Sequence, residues 1–250
     1  MPGPGNRPEV IPLNSGDDPV WQTIRTELME DAAAEPMLAS FLHATVLNHE
    51  TLEDALSFHL AGMLGGPTIH SMTLREVFLE ACQADPEIGR AIREDILAVR
   101  DRDPACRRCS QPLLYFKGFH AIQSYRIANW LWRQGREALA LYLQSRMSQI
   151  FGVDIHPAAR LGRGLLFDHA TGIVVGETAV IEDNVSILHE VTLGGTGKER
   201  GDRHPKVRQG VLIGAGAKIL GNIEIGEGAK VASCSVVLRD VPPHTSVAGV

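Results

Sequence analysis

The stretch VRQGVLIGAGAKILGNIEIGEGAKVASCSVV, residues 207–237, decides the fold. An apolar residue returns at every sixth position, Val207, Ile213, Ile219, Ile225, Val231 and Val237, and glycine follows two of them directly, at Gly214 and Gly226. Neither the 3.6-residue period of an amphipathic helix nor the two-residue alternation of a half-buried strand generates that spacing. A period of six is the signature of a hexapeptide parallel β-helix, in which three units make one coil and the apolar positions fill a continuous interior. Neighbouring coils stack at strand spacing, roughly 4.8 Å, so the scaffold is rigid by construction.

Working upstream, the same period connects Ile155, Leu161, Phe167, Ile173, Ala179, Val185 and Val191. On this count Asp168-His169 of DHATGIVVGE (168–177) occupy the turn between two successive core positions, Phe167 and Ile173. From Val191 to Val207 is 16 residues, two repeats with four left over, so a loop at about 194–208 must leave the coil. That loop, GGTGKERGDRHPKVR, carries Lys198, Arg200, Arg203, Lys206 and Arg208 against Glu199 and Asp202, a basic patch in an acidic chain.

The first half has a different rhythm. Residues 1–17, rich in Pro, Gly and Asn, read as a flexible extension. Helix openings follow at Asp18-Pro19, at Thr51 with Asp54, at Thr73 with Glu76 and at Asp85-Pro86, each before an apolar stripe. Longer stripes from Pro112 to Gln149 read as core or subunit contact. The expected organisation is therefore α+β and multidomain: an all-α oligomerisation domain over 18–150, then a β-helix domain with an extruded loop over 151–250.

Bulk properties narrow the function. The 250 residues are 44% hydrophobic, ample for a real core, and the formal charge of −6 gives no field suited to nucleic acid. No apolar run is long enough to span a membrane and no secretory signal opens the chain, so the expected compartment is the cytoplasm, with no membrane partner. The four cysteines are scattered; Cys106 and Cys109 have C-x-x-C spacing without a second ligand pair, and read as free thiols rather than a metal site. Cys234 reads as a small core residue, and His156 and His189 as structural histidines near coil corners.

The runs DIHPAARLGRG (154–164), DHATGIVVGETAVIEDNVSIL (168–188), VTLGGTG (191–197), GDRHPKV (201–207) and IGAGAKILGNIEIG (213–226), with RDRDPA (100–105) and PLLYFKGFHAIQSYRIANWLW (112–132), resemble the serine O-acetyltransferases. The resemblance spans about 18–250. It implies a left-handed β-helix, a hand that the periodicity does not supply, and acetyl transfer from acetyl-CoA to the hydroxyl of L-serine in cysteine biosynthesis. Acetyl-CoA is then a co-substrate, with no permanently bound cofactor. It further implies trimers through the β-helices, hexamers through the helical domains, active sites between neighbouring subunits, and inhibition by L-cysteine. The family continues past Gly249-Val250 with a tail that docks into O-acetylserine sulfhydrylase. That tail is absent from this chain, so docking of that partner is not expected.

Site residues follow position by position. A serine hydroxyl needs a base near neutrality, and His169 matches the family's general base, with Asp154 matching its orienting carboxylate. Asp154 lies 15 residues before His169, three short of a full coil, so their contact is plausible on spacing without being forced by it. Arg203 and His204 match the positions that hold the substrate carboxylate, and Asp103 and Asp168 those that hold its ammonium. Gly194, Gly195, Thr196 and Ala215 match the path of the pantetheine arm, and Lys230 is the candidate for a CoA phosphate. Two rivals stay open at this level: a zinc carbonic anhydrase on the same scaffold, which needs three converging histidines, and a non-catalytic assembly scaffold.

Overall fold

The computed structural model describes residues 18–198 and 200–250; the extension read at 1–17 lies outside the described residues, as does Glu199 of the loop. Asp18 caps α1 (Pro19–Ala34) by accepting from the Trp21 amide at 3.1 Å, and Pro19 takes the first helical position, where its missing N–H leaves no bond unmade. Helix α2 (Pro36–Leu42) runs into a π-turn (His43–Leu47), and Thr51 caps α3 (Leu52–Leu64) through the Asp54 amide. The opening expected at Thr73 is not one. Helix α4 (Ser71–Ala84) starts two residues earlier, and Thr73 and Glu76 lie exposed on its outer face, where their i,i+3 spacing is as compatible with mid-helix as with a cap. Asp85 caps α5 (Pro86–Arg102), and α6 (Ser110–Tyr115), α7 (Lys117–Arg133) and α8 (Glu137–Phe151) complete the helical half. Ile24, Leu28, Leu60, Phe78, Ile92, Leu113, Phe119 and Leu131 form its closed core.

Fourteen short strands follow among the described residues: β1 (Asp154–Ile155), β2 (Arg160–Leu161), β3 (Leu166–Asp168), β4 (Val174–Val175), β5 (Val180–Ile181), β6 (Ser186–Leu188) and β7 (Thr192–Gly194), then, past the loop, β8 (Lys206–Val207), β9 (Leu212–Ile213), β10 (Lys218–Leu220), β11 (Glu224–Ile225), β12 (Lys230–Val231), β13 (Val236–Val237) and β14 (Ser246–Val247). They form three parallel sheets, β1-β4-β7-β10-β13, β2-β5-β8-β11 and β3-β6-β9-β12-β14. The chain visits the sheets in turn, and the result is the left-handed parallel β-helix.

The register corrects the sequence count. Asp154 pairs with Val174, twenty residues on, whereas Val174 pairs with Thr192 after eighteen. The stacked interior row is therefore Ile155, Val175, Leu193, Ile219 and Val237, and the core position after Phe167 is Val175, not Ile173. Two extra residues sit in that turn. Ile173, Ala179, Val185 and Val191 are fully buried as well, but they belong to a second inward row two residues ahead, with Val153, Ala159 and Leu165. Apolar periodicity alone cannot distinguish two buried rows that share a period, so the count passed from one to the other at the insertion. The loop changes accordingly: Leu193 to Val207 is fourteen residues, one repeat and eight over, and the chain outside strands is 195–205.

The helices lock onto the first two coils through buried polar groups. Asp95, fully buried, accepts from Gln123 Nε2 at 2.8 Å and Arg126 Nη2 at 2.6 Å on α7, and from the Leu165 amide of the β-helix at 2.8 Å. Arg102, the last residue of α5, donates to the Asn184 carbonyl at 2.8 Å, to Ser186 Oγ at 2.9 Å and to the Gly164 carbonyl. Helix α7 presses so closely on β3 that a Cβ at Gly118 would lie 2.0 Å from the Phe167 carbonyl oxygen and 3.1 Å from Ala170 Cβ. Replacing Gly118 by Ala is expected to push α7 off β3 and to cost about 1–3 kcal/mol of stability as an overpacked contact. Thermal unfolding of the variant reads this directly, and an unchanged melting temperature would show that the approach can relax freely.

Candidate active site

The candidate residues fall on two corners of the triangular coil. The corner after the third sheet carries, one coil above another, His169, His189, Ala215 and Cys234. The corner after the first sheet carries His156, then Glu177 and Thr178, then the loop with Arg203 and His204.

At the first of these, the two-residue insertion shapes the site. His169 and Ala170 both adopt left-handed backbone, φ 55° and 57°, a conformation that costs an L-residue roughly 1–2 kcal/mol and that the fixed strands on either side enforce. Asp168 ends β3, and His169 projects beyond it with its side chain 77% exposed, free to meet a substrate. His169 Nε2 is 3.8 Å from Asp168 Oδ1. Asp154 is held instead by Gln144, whose Nε2 donates to its Oδ1 at 2.7 Å, and among the described residues no ion pair joins Asp154 to His169.

Asp103 and Asp168 do come together. With Arg102, Leu166, Leu188 and Leu212 they line one cavity of about 390 Å³ on the outer face of the third sheet, and Asp103 is fixed there by accepting from the Ala105 amide at 2.8 Å. Two carboxylates facing one cavity suit a cationic amine. Lys230 stands on β12 of the same sheet, exposed, and pairs in register with Leu212.

The second corner holds the carboxylate-binding candidates. Arg203 Nη2 meets Glu177 Oε2 at 2.6 Å, and that hydrogen bond keeps the Glu177 carboxyl below its ordinary range. His204 is buried, and burial, with the Arg203 charge adding to it, pushes its proton affinity down. Gly194 and Gly195 lie where β7 gives way to the loop, and Gly195 passes against Arg203. Within one chain, then, the histidine with its two aspartates and the arginine with its histidine belong to different corners.

Several residues beside the candidate site are not marked as such by the sequence. Arg102 lies inside the RDRDPA motif but was not singled out, and it lines the cavity beside Asp103. His189, read as structural, sits edge-on to His169 at 6.0 Å between ring centroids, with its Nδ1 buried and without a partner among the described residues. Its place one coil above His169 follows from the register Asp168 to Leu188, which only the corrected coil length reveals. His156 does serve its corner, accepting from the Ala158 amide at 3.1 Å. Cys234, expected in the core, is exposed with φ 59°, because it lies at a corner rather than on an inward row. Cys106 and Cys109 are buried and unbridged.

Both halves of the chain are similar to known proteins. Residues 20–124 match the family description "Serine acetyltransferase, N-terminal", and 204–239 match "Bacterial transferase hexapeptide (six repeats)". The serine acetyltransferase of Salmonella typhimurium is 63% identical over 231 residues, which cover 92% of this chain and 85% of that protein. Among solved structures, the Brucella abortus serine acetyltransferase in complex with coenzyme A superposes with a TM-score of 0.93 at 59% identity, covering 94% of each chain. The Neisseria gonorrhoeae enzyme in complex with serine gives 0.91 at 57%, covering 93% of this chain and 96% of that one, and a serine acetyltransferase in complex with cysteine gives 0.91 at 62%, covering 92% and 96%. With relatives this similar along nearly its whole length, the chain belongs to the serine acetyltransferase family.

Proposed function

We propose that this chain transfers the acetyl group of acetyl-CoA to the hydroxyl of L-serine, yielding O-acetylserine and CoA as the entry to cysteine synthesis in the cytoplasm, and that L-cysteine restrains it. The observation that carries the site assignment is the convergence of Asp103 and Asp168 on one cavity beside the exposed ring of His169. Relatives crystallised with coenzyme A, with serine and with cysteine support the ligand set.

The chemistry follows from what each group can do. His169 takes the proton from the serine oxygen as that oxygen attacks the thioester carbonyl. The imidazolium so formed lies beside Asp168, and Asp154 is assigned as the carboxylate that orients the ring and stabilises its positive charge. The tetrahedral adduct collapses with loss of the CoA thiolate, which recovers the proton from the imidazolium. Asp103 and Asp168 bind the serine ammonium, while Arg203 and His204 bind its carboxylate and so orient the hydroxyl. Gly194, Gly195, Thr196 and Ala215 let the pantetheine arm approach the backbone, and Lys230 meets a phosphate of CoA.

Because the two halves of the site lie on different corners, the reading requires neighbouring protomers to complete each other. A trimer of β-helices does so by setting the His169 corner of one subunit against the Arg203 corner of the next, and the helical domains then join trimers into hexamers. Cysteine shares the zwitterionic frame of serine and differs only where the hydroxyl is replaced by a thiol, so it competes through the same Asp103, Asp168, Arg203 and His204.

Replacing His169 by Asn is expected to lower turnover about 10²- to 10⁴-fold, measured as thiol release from acetyl-CoA with L-serine, with oligomeric state and melting temperature retained. Full activity in that variant would end the assignment of the base. Co-expressing His169→Asn chains with Arg203→Ala chains should restore activity in about a quarter of the sites of randomly mixed oligomers, whereas sites contained within one chain would restore none. Addition of cysteine should raise the apparent KM for serine; turnover indifferent to millimolar cysteine would remove the regulatory part of the reading.

A further inference from the structure

Among the described residues, the donors around His204 are few and their roles are fixed. The backbone N–H of Thr178 reaches His204 Nδ1 at 3.1 Å, and a backbone N–H can only donate. Nδ1 therefore accepts, and a ring nitrogen that accepts carries no proton. The Thr178 hydroxyl adds a second constraint. Its oxygen accepts from the amide of Arg203 at 3.0 Å and from that of His204 at 3.1 Å, which fills both acceptor sites and leaves the O–H to donate. Nδ1 stands 2.8 Å away, where its single lone pair is shared between this hydroxyl and the Thr178 amide. The Asp202 carboxylate, bonded to Lys206 at 2.5 Å, is a second acceptor for the same hydroxyl, so the amide is what settles the state of Nδ1.

The seat of the ring is equally specific. A Cβ at Gly176 would lie 2.0 Å from His204 Cδ2 and 2.1 Å from Nε2, so the imidazole packs directly on the glycine backbone. Nε2 has no hydrogen-bond partner among the described residues. The charged and titratable groups that face the ring are Arg203 and Lys206 from the loop and its end, Glu177 from the same corner, and His156 one coil below.

We infer that Thr178 is a positioning residue for the amino-acid substrate: its amide and hydroxyl hold His204 as the neutral Nε2–H tautomer on Gly176, so that His204 offers the substrate carboxylate a hydrogen-bond donor while Arg203 supplies the charge. This rests on the reading of Arg203 and His204 as the carboxylate site, and it assigns them different tasks. A neutral His204 with its Nδ1 occupied cannot act as a second base through that nitrogen, and the hydroxyl proton is left to His169. Burial and the neighbouring Arg203 charge both disfavour protonation of His204, in keeping with this division. The same hydroxyl ties the loop backbone at Arg203 to the preceding coil, so one side chain places both groups.

The test has two independent arms. Solid-state ¹⁵N spectra of the intact, histidine-labelled enzyme, with the His204 signals assigned by difference against His204→Gln, should show Nδ1 unprotonated and Nε2 protonated at neutral pH without any ligand. The opposite tautomer, or an imidazolium, would overturn the inference whether or not the enzyme acetylates serine, and absence of activity in the wild-type chain would instead overturn the functional reading alone. In kinetics, Thr178→Val should raise the KM for serine about tenfold or more and weaken cysteine inhibition in parallel, with the KM for acetyl-CoA moving less than about twofold. Thr178→Ser, which keeps the hydroxyl, should recover most of the serine affinity. An unchanged serine KM in a folded Thr178→Val enzyme, or an equal loss in Thr178→Ser, would count against a hydroxyl-specific role.

Discussion

Every strand of the second half is bonded to a strand one full coil away, and this fixes where the chain can be irregular. Extra residues cannot be absorbed within a two- or three-residue strand without breaking the ladder above and below it, so they must leave at a corner. The chain does this twice by insertion, two residues at His169-Ala170 and eight between Leu193 and Val207, and each insertion places a group of proposed site residues. Between Ile225 and its partner Val241 the coil is two residues shorter than eighteen; the deficit falls between Val237 and Val241, where no proposed site residue lies. The proposed chemistry thus sits where the scaffold's period is lengthened.

The helical half matters to the site through a few buried polar contacts rather than through area alone. Asp95 joins α7 to the backbone of the first coil, and a carboxylate with no exposure must keep its partners, because losing one would strand a charge in a medium that cannot solvate it. Arg102 spans from the end of α5 to the carbonyls of two successive coils, and the next residue is Asp103. The position of a proposed ammonium ligand on a helical segment is therefore set by the β-helix it faces. Gly118 adds the closest approach, backbone against backbone, directly beneath the strand that ends in Asp168.

The architecture was legible because a six-residue period, caps such as Asp18, Thr51 and Asp85, and the long apolar stripes are local signals. The register was not legible. A coil of this kind has two inward rows per face, both lined with small aliphatic residues, and Phe167 to Ile173 keeps the spacing while changing the row. For the same reason the loop was counted four residues over instead of eight, and His189 was not seen to stack on His169. The site residues were named by motif, yet their division between two corners could not come from motif, since Asp168 and Arg203 are brought to separate corners only by counting coils. The tautomer of His204 is further still from the sequence, because it depends on a main-chain amide at Thr178.

Left-handed backbone outside glycine shows where the scaffold bears strain. Six such residues occur among those described, and four of them, His169, Ala170, Glu190 and Cys234, share the corner after the third sheet; Asn184 and His244 are at the corner after the second. A residue held in this region persists only when its surroundings leave it no alternative, and here the alternatives are removed by strands bonded on both sides. For the proposed base, His169, the consequence is preorganisation. A base carried on a flexible loop would have to be ordered anew with each substrate, whereas His169 opens a five-residue turn, 169–173, pinned at its two ends by Asp168 bonded to Leu188 and Val174 bonded to Asp154. The cost of the strained pair is borne in folding, by the stacking of the coils, and does not recur at each turnover.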